Sequence, residues 1–196
     1  MSELILYACP TGELAAQLED YFRHSRRRCG PNAAHAYMPH CTLTGFFQAE
    51  SQAIPRYVQA LEKATAQVLE QRSEAAYSLR DSNPSVMASA RAERLQGRVA
   101  IQSLQFHPLW HGLELASDWL CQLAARFARY SPSAPALRLK DWLHLSLAYD
   151  FDPAQAPELE QLARAKIDIQ AEVRWELRLY ERNENRTWHC HRQLAV

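Results

Sequence analysis

The chain is 196 residues long and 47% hydrophobic, with 22 Lys and Arg against 22 Asp and Glu. That length can bury one substantial core, while zero net charge excludes the many-phosphate grip on long nucleic acid that needs a large basic excess. No apolar run approaches the roughly 20 residues of a membrane-spanning helix, and the first residues lack the basic flank and cleavage site of a secretory leader, so a cytoplasmic protein is expected.

In chain order, Glu3 to Cys9 is short, apolar and bounded by Pro10, which predicts a strand. Thr11 is a candidate N-cap for a helix carrying Leu14, Leu18, Tyr21 and Phe22 at helical spacing. Arg26, Arg27 and Arg28 suit the end of its dipole, and Gly30-Pro31 stops it. Tyr37 to Phe47 is the next strand. Ile54 to Gln71 predicts a second helix, with Tyr57, Val58, Leu61, Thr65 and Val68 on one face. The turn signal Asp81-Ser82-Asn83-Pro84 suggests a hairpin over Ala75 to Arg94.

Arg98 to Phe106 then predicts a strand, and Pro108 opens a helix on Leu109, Leu113, Ala116, Leu120, Leu123 and Phe127. Trp142 to Phe151 is a strand and Pro157 to Ala165 a short helix. Ile167 to Tyr180 and Arg186 to Ala195 are two strands joined by a polar turn. The element order of the first half recurs from about Arg98, a twofold pseudo-repeat with lobes of about 1–95 and 96–196. The five cysteines (Cys9, Cys29, Cys41, Cys121, Cys190) show neither a C-x-x-C pair nor zinc spacing and are expected to be reduced thiols.

The repeat is sharpest at two short segments, Pro39-His40-Cys41-Thr42-Leu43-Thr44-Gly45-Phe46 and Leu143-His144-Leu145-Ser146-Leu147-Ala148-Tyr149. Each places a histidine two residues before a hydroxyl in a strand, where side chains at i and i+2 share a face. His40 therefore sits beside Thr42 and His144 beside Ser146, with Cys41, Leu43, Leu145 and Leu147 turned to a core. Pseudo-symmetry would set the two pairs across one cleft. Displacement at phosphorus needs a base on the entering oxygen and an acid on the departing one. Histidine serves in both roles near neutral pH. The hydroxyls of Thr42 and Ser146 are candidates to hold phosphate oxygens. This chemistry calls for neither metal nor cofactor.

Both segments resemble the two His-x-Thr/Ser signatures of the 2H phosphoesterase superfamily, and the second, His-Leu-Ser-Leu-Ala-Tyr, looks most like its cyclic phosphodiesterase branch. The resemblance implies an α+β fold: a duplicated bilobal β-α-β-α-β-β architecture, two antiparallel sheets flanking a central cleft and helices outside. It implies His40, Thr42, His144 and Ser146 as the active-site residues. The expected activity is hydrolysis of a small ribose cyclic phosphate, a 2′,3′-cyclic nucleotide or ADP-ribose 1″,2″-cyclic phosphate, by a monomer with no membrane partner. The alternatives are an RNA-end or 2′,5′-phosphodiester enzyme resembling RNA 2′,5′-ligases, and a non-catalytic nucleotide-binding module.

Phe46 shares the His40 face and is a candidate pocket wall. Tyr149 is a substrate-binding candidate for stacking on a base, although strict alternation would turn it toward the core with Leu145 and Leu147. Tyr7 and Trp142 are read first as core residues that could line the cleft. Arg138 and Lys140, just upstream of the second motif, are open between phosphate attraction and simple solvation. His189 with His191 lacks a third metal ligand, and His107 with His111 is interrupted by Pro108.

Overall fold

The computed structural model describes residues 1–78, 99–132, 136–185 and 187–196. Among the described residues, eight strands and four α-helices form an α+β fold: β1 (Ser2–Thr11), α1 (Glu13–Cys29), β2 (Cys41–Thr42), β3 (Phe47–Ala49), α2 (Ile54–Ser78), β4 (Ala100–His107), β5 (Trp110–Ala116), α3 (Asp118–Tyr130), β6 (His144–Tyr149), α4 (Ala156–Lys166), β7 (Arg174–Arg182) and β8 (Trp188–Ala195). The expected hairpin over residues 75–94 falls largely outside the described residues, and its first four positions belong to α2.

The strands make one antiparallel sheet in the order β4-β5-β6-β2-β1-β7-β8, with β3 also on β1. Two expected sheets are thus two halves of one, joined where Cys41 of β2 faces Leu145 of β6. The C-terminal hairpin β7-β8 lies along β1, nine residue pairs from Glu3–Arg182 to Thr11–Arg174. The strands of the chain's second half therefore flank those of the first on both sides.

β1 is buried on both faces, which is why it reads as a continuous apolar run. Leu4, Leu6 and Ala8 enter the main core with the inner residues of the helices, including Leu18, Leu61, Phe127 and Ala163. Ile5, Tyr7 and Cys9 point the other way, into a smaller cluster with Tyr180, flanked by Met38 and Trp188. The inner residues of the four described α-helices join the main core, on the Leu4, Leu6 and Ala8 side of β1.

The helix starts expected at Pro108 and Thr11 need correction. The helix expected from Pro108 is a strand followed by a helix: β5 turns back on β4 at His107–Trp110, and α3 begins only after Ser117, whose Oγ accepts from the Leu120 N–H at 3.2 Å. Leu113 and Leu115 alternate into the core as strand residues while Leu109, at 66% exposure, lies in the turn. At the first helix, Gly12 rather than Thr11 precedes the first turn, in a left-handed conformation (φ +80°) that glycine adopts without a Cβ penalty.

Candidate active site

The first motif is held over β1 by an irregular stretch. Leu43 N–H donates to the Leu6 carbonyl at 3.0 Å. The Leu6 N–H donates to Thr44 Oγ1, also at 3.0 Å. Thr44 is fully buried, and its hydroxyl supplies the partner that a regular ladder would have taken from the backbone. The strand expected from Tyr37 to Phe47 is therefore broken into β2 and β3. Thr42 sits opposite Tyr7, and the Tyr7 ring packs on the His40 imidazole with centroids 3.9 Å apart. His40 Nδ1 donates to the Met38 carbonyl at 2.7 Å. A carbonyl only accepts, so the neutral ring carries its proton on Nδ1 and keeps the Nε2 lone pair.

The second motif repeats this device. His144 Nδ1 donates to the Trp142 carbonyl, again two residues upstream, at 3.3 Å. The ring stacks on Trp142 at 4.1 Å. Ser146 faces Gly112 of β5, and its Oγ accepts from Trp110 Nε1–H at 2.9 Å. With that acceptor role taken, the serine proton is directed elsewhere. Gly112 makes the contact possible: a Cβ there would lie 2.2 Å from the Trp110 ring and 2.6 Å from the Leu145 carbonyl.

Strict alternation fails at Tyr149 for a visible reason. His111 pairs with Ala148 but Gly112 pairs with Ser146, so Leu147 is an extra residue, a β-bulge. Leu147 and Ala148 are both buried, and the phase change returns Tyr149 to the face of His144 and Ser146. A cavity of about 440 Å³ consequently holds all six candidates, His40, Thr42, Phe46, His144, Ser146 and Tyr149. Tyr7 and Trp142, read first as core, line it as well.

Arg138 and Lys140 also enter its wall. Their segment runs beside the first motif: Gly45 N–H donates to the Arg138 carbonyl at 2.7 Å and Lys140 N–H to the Leu43 carbonyl at 3.1 Å. The Arg138 side chain crosses Gly45, where a Cβ would lie 2.9 Å from Nε. Tyr37 and Trp110, absent from the sequence candidates, also line it. The signal for Trp110 was its spacing from Gly112, legible once residues 110–116 are a strand.

Among the described residues, the lining contains two fixed cations and no carboxylate. Burial pushes His40 down to about 4, opposed by the Met38 carbonyl and reinforced by His144. His144 is also lowered, first by burial and further by Lys140. Burial and the neighbouring Tyr37 raise the Tyr149 phenol to about 12. Both imidazoles are thus neutral at pH 7, and a bound anion would favour their protonation.

Other candidates lie elsewhere. His191 pairs with Glu181 at 2.8 Å, His111 is buried against Phe106 and Phe151, Arg28 pairs with Glu158, and Cys41 points into the core.

No family model matches the chain. It is 29% identical over 197 residues to an ecdysteroid-phosphate phosphatase of Drosophila melanogaster, covering 92% of this chain and 26% of that protein. It is 32% identical over 184 residues to ubiquitin-associated and SH3 domain-containing protein A of Mus musculus, covering 92% and 26%. The chain spans about a quarter of the length of these relatives. Among solved structures it superposes loosely on E. coli LigT complexed with ATP, with a TM-score of 0.48 and 13% identity over 100% of this chain and 98% of that one. The two His-x-Thr/Ser segments, from different halves of the chain, thus open into one cavity of an α+β fold.

Proposed function

We propose that this chain is a phosphodiesterase that opens a small ribose cyclic phosphate, a nucleoside 2′,3′-cyclic phosphate or ADP-ribose 1″,2″-cyclic phosphate, without a metal ion. The observation that carries the reading is the matched pair of imidazoles. Each is oriented through Nδ1 by a carbonyl two residues upstream, and both line the cavity that holds Ser146, Arg138 and Lys140.

The chemistry runs as follows. Neutral His40 takes a proton from water through Nε2 as the water oxygen bonds to phosphorus. Protonated His144 gives its Nε2 proton to the ribose oxygen as that P–O bond breaks, leaving a ribose phosphomonoester. His40 suits the base because it is the more deeply desolvated ring, packed on Tyr7. The hydroxyls of Thr42 and Ser146 donate to the non-bridging oxygens, and Arg138 and Lys140 attract the anionic diester. Two relatives are named as ecdysteroid-phosphate phosphatases, which agrees with chemistry at phosphorus.

The test is phosphorus NMR of a panel of ribose cyclic phosphates incubated with the protein in EDTA. The expected result is conversion to a single monoester regioisomer. Turnover abolished by EDTA would contradict the mechanism, and tight binding without turnover would leave a nucleotide-binding module. Faster opening of a cyclic-phosphate-ended oligonucleotide than of the mononucleotide would move the substrate to RNA ends.

A further inference from the structure

Tyr37 stands in the wall of the cavity of the two histidines. That residue also lines a second cavity of about 630 Å³. A run of rings connects the two: Tyr37 lies 5.6 Å from His40 and 5.4 Å from Trp188, and Trp188 lies 6.2 Å from Phe46 at an interplanar angle of 24°. Phe46 is 37% exposed and Trp188 is half-buried, so aromatic surface next to the catalytic site remains open.

The two cavities differ in charge. The first is lined by Arg138 and Lys140, with no carboxylate among the described residues. The second is lined by Glu3, Glu181 and Glu184 against Arg182; Arg182 already donates to Glu3 at 2.7 Å, and Glu181 already pairs with His191 at 2.8 Å. A phosphate is attracted to the first and repelled from the second. An uncharged planar group with N–H donors suits the second, because carboxylates only accept and an aromatic face stacks on any flat ring. We propose that the second cavity is a subsite for the heterocyclic base of the substrate, with Trp188 as its platform and Glu184 reading its N–H edge. The ribose then passes Tyr37, and the cyclic phosphate lies between His40 and His144. This rests on the reading of those histidines as the catalytic pair.

The experiment compares kcat/KM for adenosine 2′,3′-cyclic phosphate with that for 1-O-methylribose 2′,3′-cyclic phosphate, which lacks the base. The wild-type chain should prefer the nucleoside roughly 10- to 100-fold, the range expected for stacking one base. Trp188→Ala should erase most of that preference by raising KM for the nucleoside alone, and Trp188→Phe should keep most of it. Equal kcat/KM for the two substrates in the wild type would overturn the subsite, as would a Trp188→Ala variant that weakens both in proportion. Calorimetric titration of the wild-type chain with adenosine 2′-monophosphate and 1-O-methylribose 2-phosphate separates this from the chemistry. Tighter nucleotide binding without any ring opening would keep the base subsite and defeat the catalytic reading; equal binding of the two would overturn the subsite whatever the turnover.

Discussion

The two histidine motifs share an orienting device and differ in nearly everything around it. Each ring donates Nδ1–H to the carbonyl two residues before it. Around that common element, His40 immediately precedes a two-residue strand, next to a stretch pinned by the buried Thr44 hydroxyl, and packs on Tyr7. His144 begins a six-residue strand, stacks on Trp142 and has Lys140 nearby. The likeness sets the tautomer and direction of both imidazoles. The difference separates their proton affinities, and a reaction needing one base and one acid requires that separation.

The largest test removes the symmetry altogether. His40→Ala and His144→Ala should each lower kcat by roughly 10³-fold or more, within reach of losing one general acid or base together with its positioning. The double variant should lose little further, because groups that act as a unit are not additive. Steady-state or single-turnover rates read this directly, and full additivity of the two losses would mean that the rings act on separate steps.

Smaller perturbations address each motif by itself. Ser146→Ala should lower kcat/KM by roughly 10- to 100-fold, the scale of one hydrogen bond to a charged oxygen. Trp110→Phe should give a smaller loss of the same kind with the fold retained, since it frees the serine hydroxyl without removing it. On the scaffold side, Gly112→Ala pushes a methyl group into the Trp110 ring and the Leu145 carbonyl, costing about 1–3 kcal/mol by overpacking. Thr44→Val strands the buried Leu6 N–H at a similar cost of about 1–3 kcal/mol. Denaturant melts measure both, and activity should suffer through His144 and Ser146 in one case and His40 in the other.

The pH profile sharpens the contrast most finely. In the free protein His40 becomes a competent base as pH rises through about 4. His144 stops being a competent acid as pH rises past its own value, which lies below 6.5. The bell of kcat/KM should therefore peak on the acid side of 6.5. Lys140→Met removes a charge that disfavours the His144 cation, so the falling limb should move to higher pH while the rising limb stays. Stability follows the same sign: between about 4 and 6.5 the unfolded chain binds protons that the buried His40 does not, so stability falls as pH drops through that window.

Much of this was legible in the residues, for identifiable reasons. The His-x-Thr and His-x-Ser pairs declare themselves because two-residue periodicity and acid–base chemistry coincide at both. Helix α4 and the C-terminal hairpin follow from apolar spacing and turn residues. The strand β5 did not, because Leu109, Leu113, Leu120 and Phe127 fit a helical period while the decisive features, a turn at Pro108 and a cap at Ser117, interrupt it. Tyr149 was misphased because a bulge at Leu147 leaves no mark in composition. Arg138 and Lys140 stood undecided because only tertiary pairing of their segment with Leu43 and Gly45 brings them to the cavity.

The central claim is that one phosphoryl group is held by both rings at once. Histidine side-chain ¹H–¹⁵N correlation spectra, recorded while adenosine 2′-monophosphate is titrated into the wild-type chain, test it directly. The account predicts Nδ1–H tautomers for His40 and His144 in the free protein and Nε2 signals of both that shift together along one binding curve. A titration that moves one ring and leaves the other untouched, or two curves with different midpoints, would contradict it.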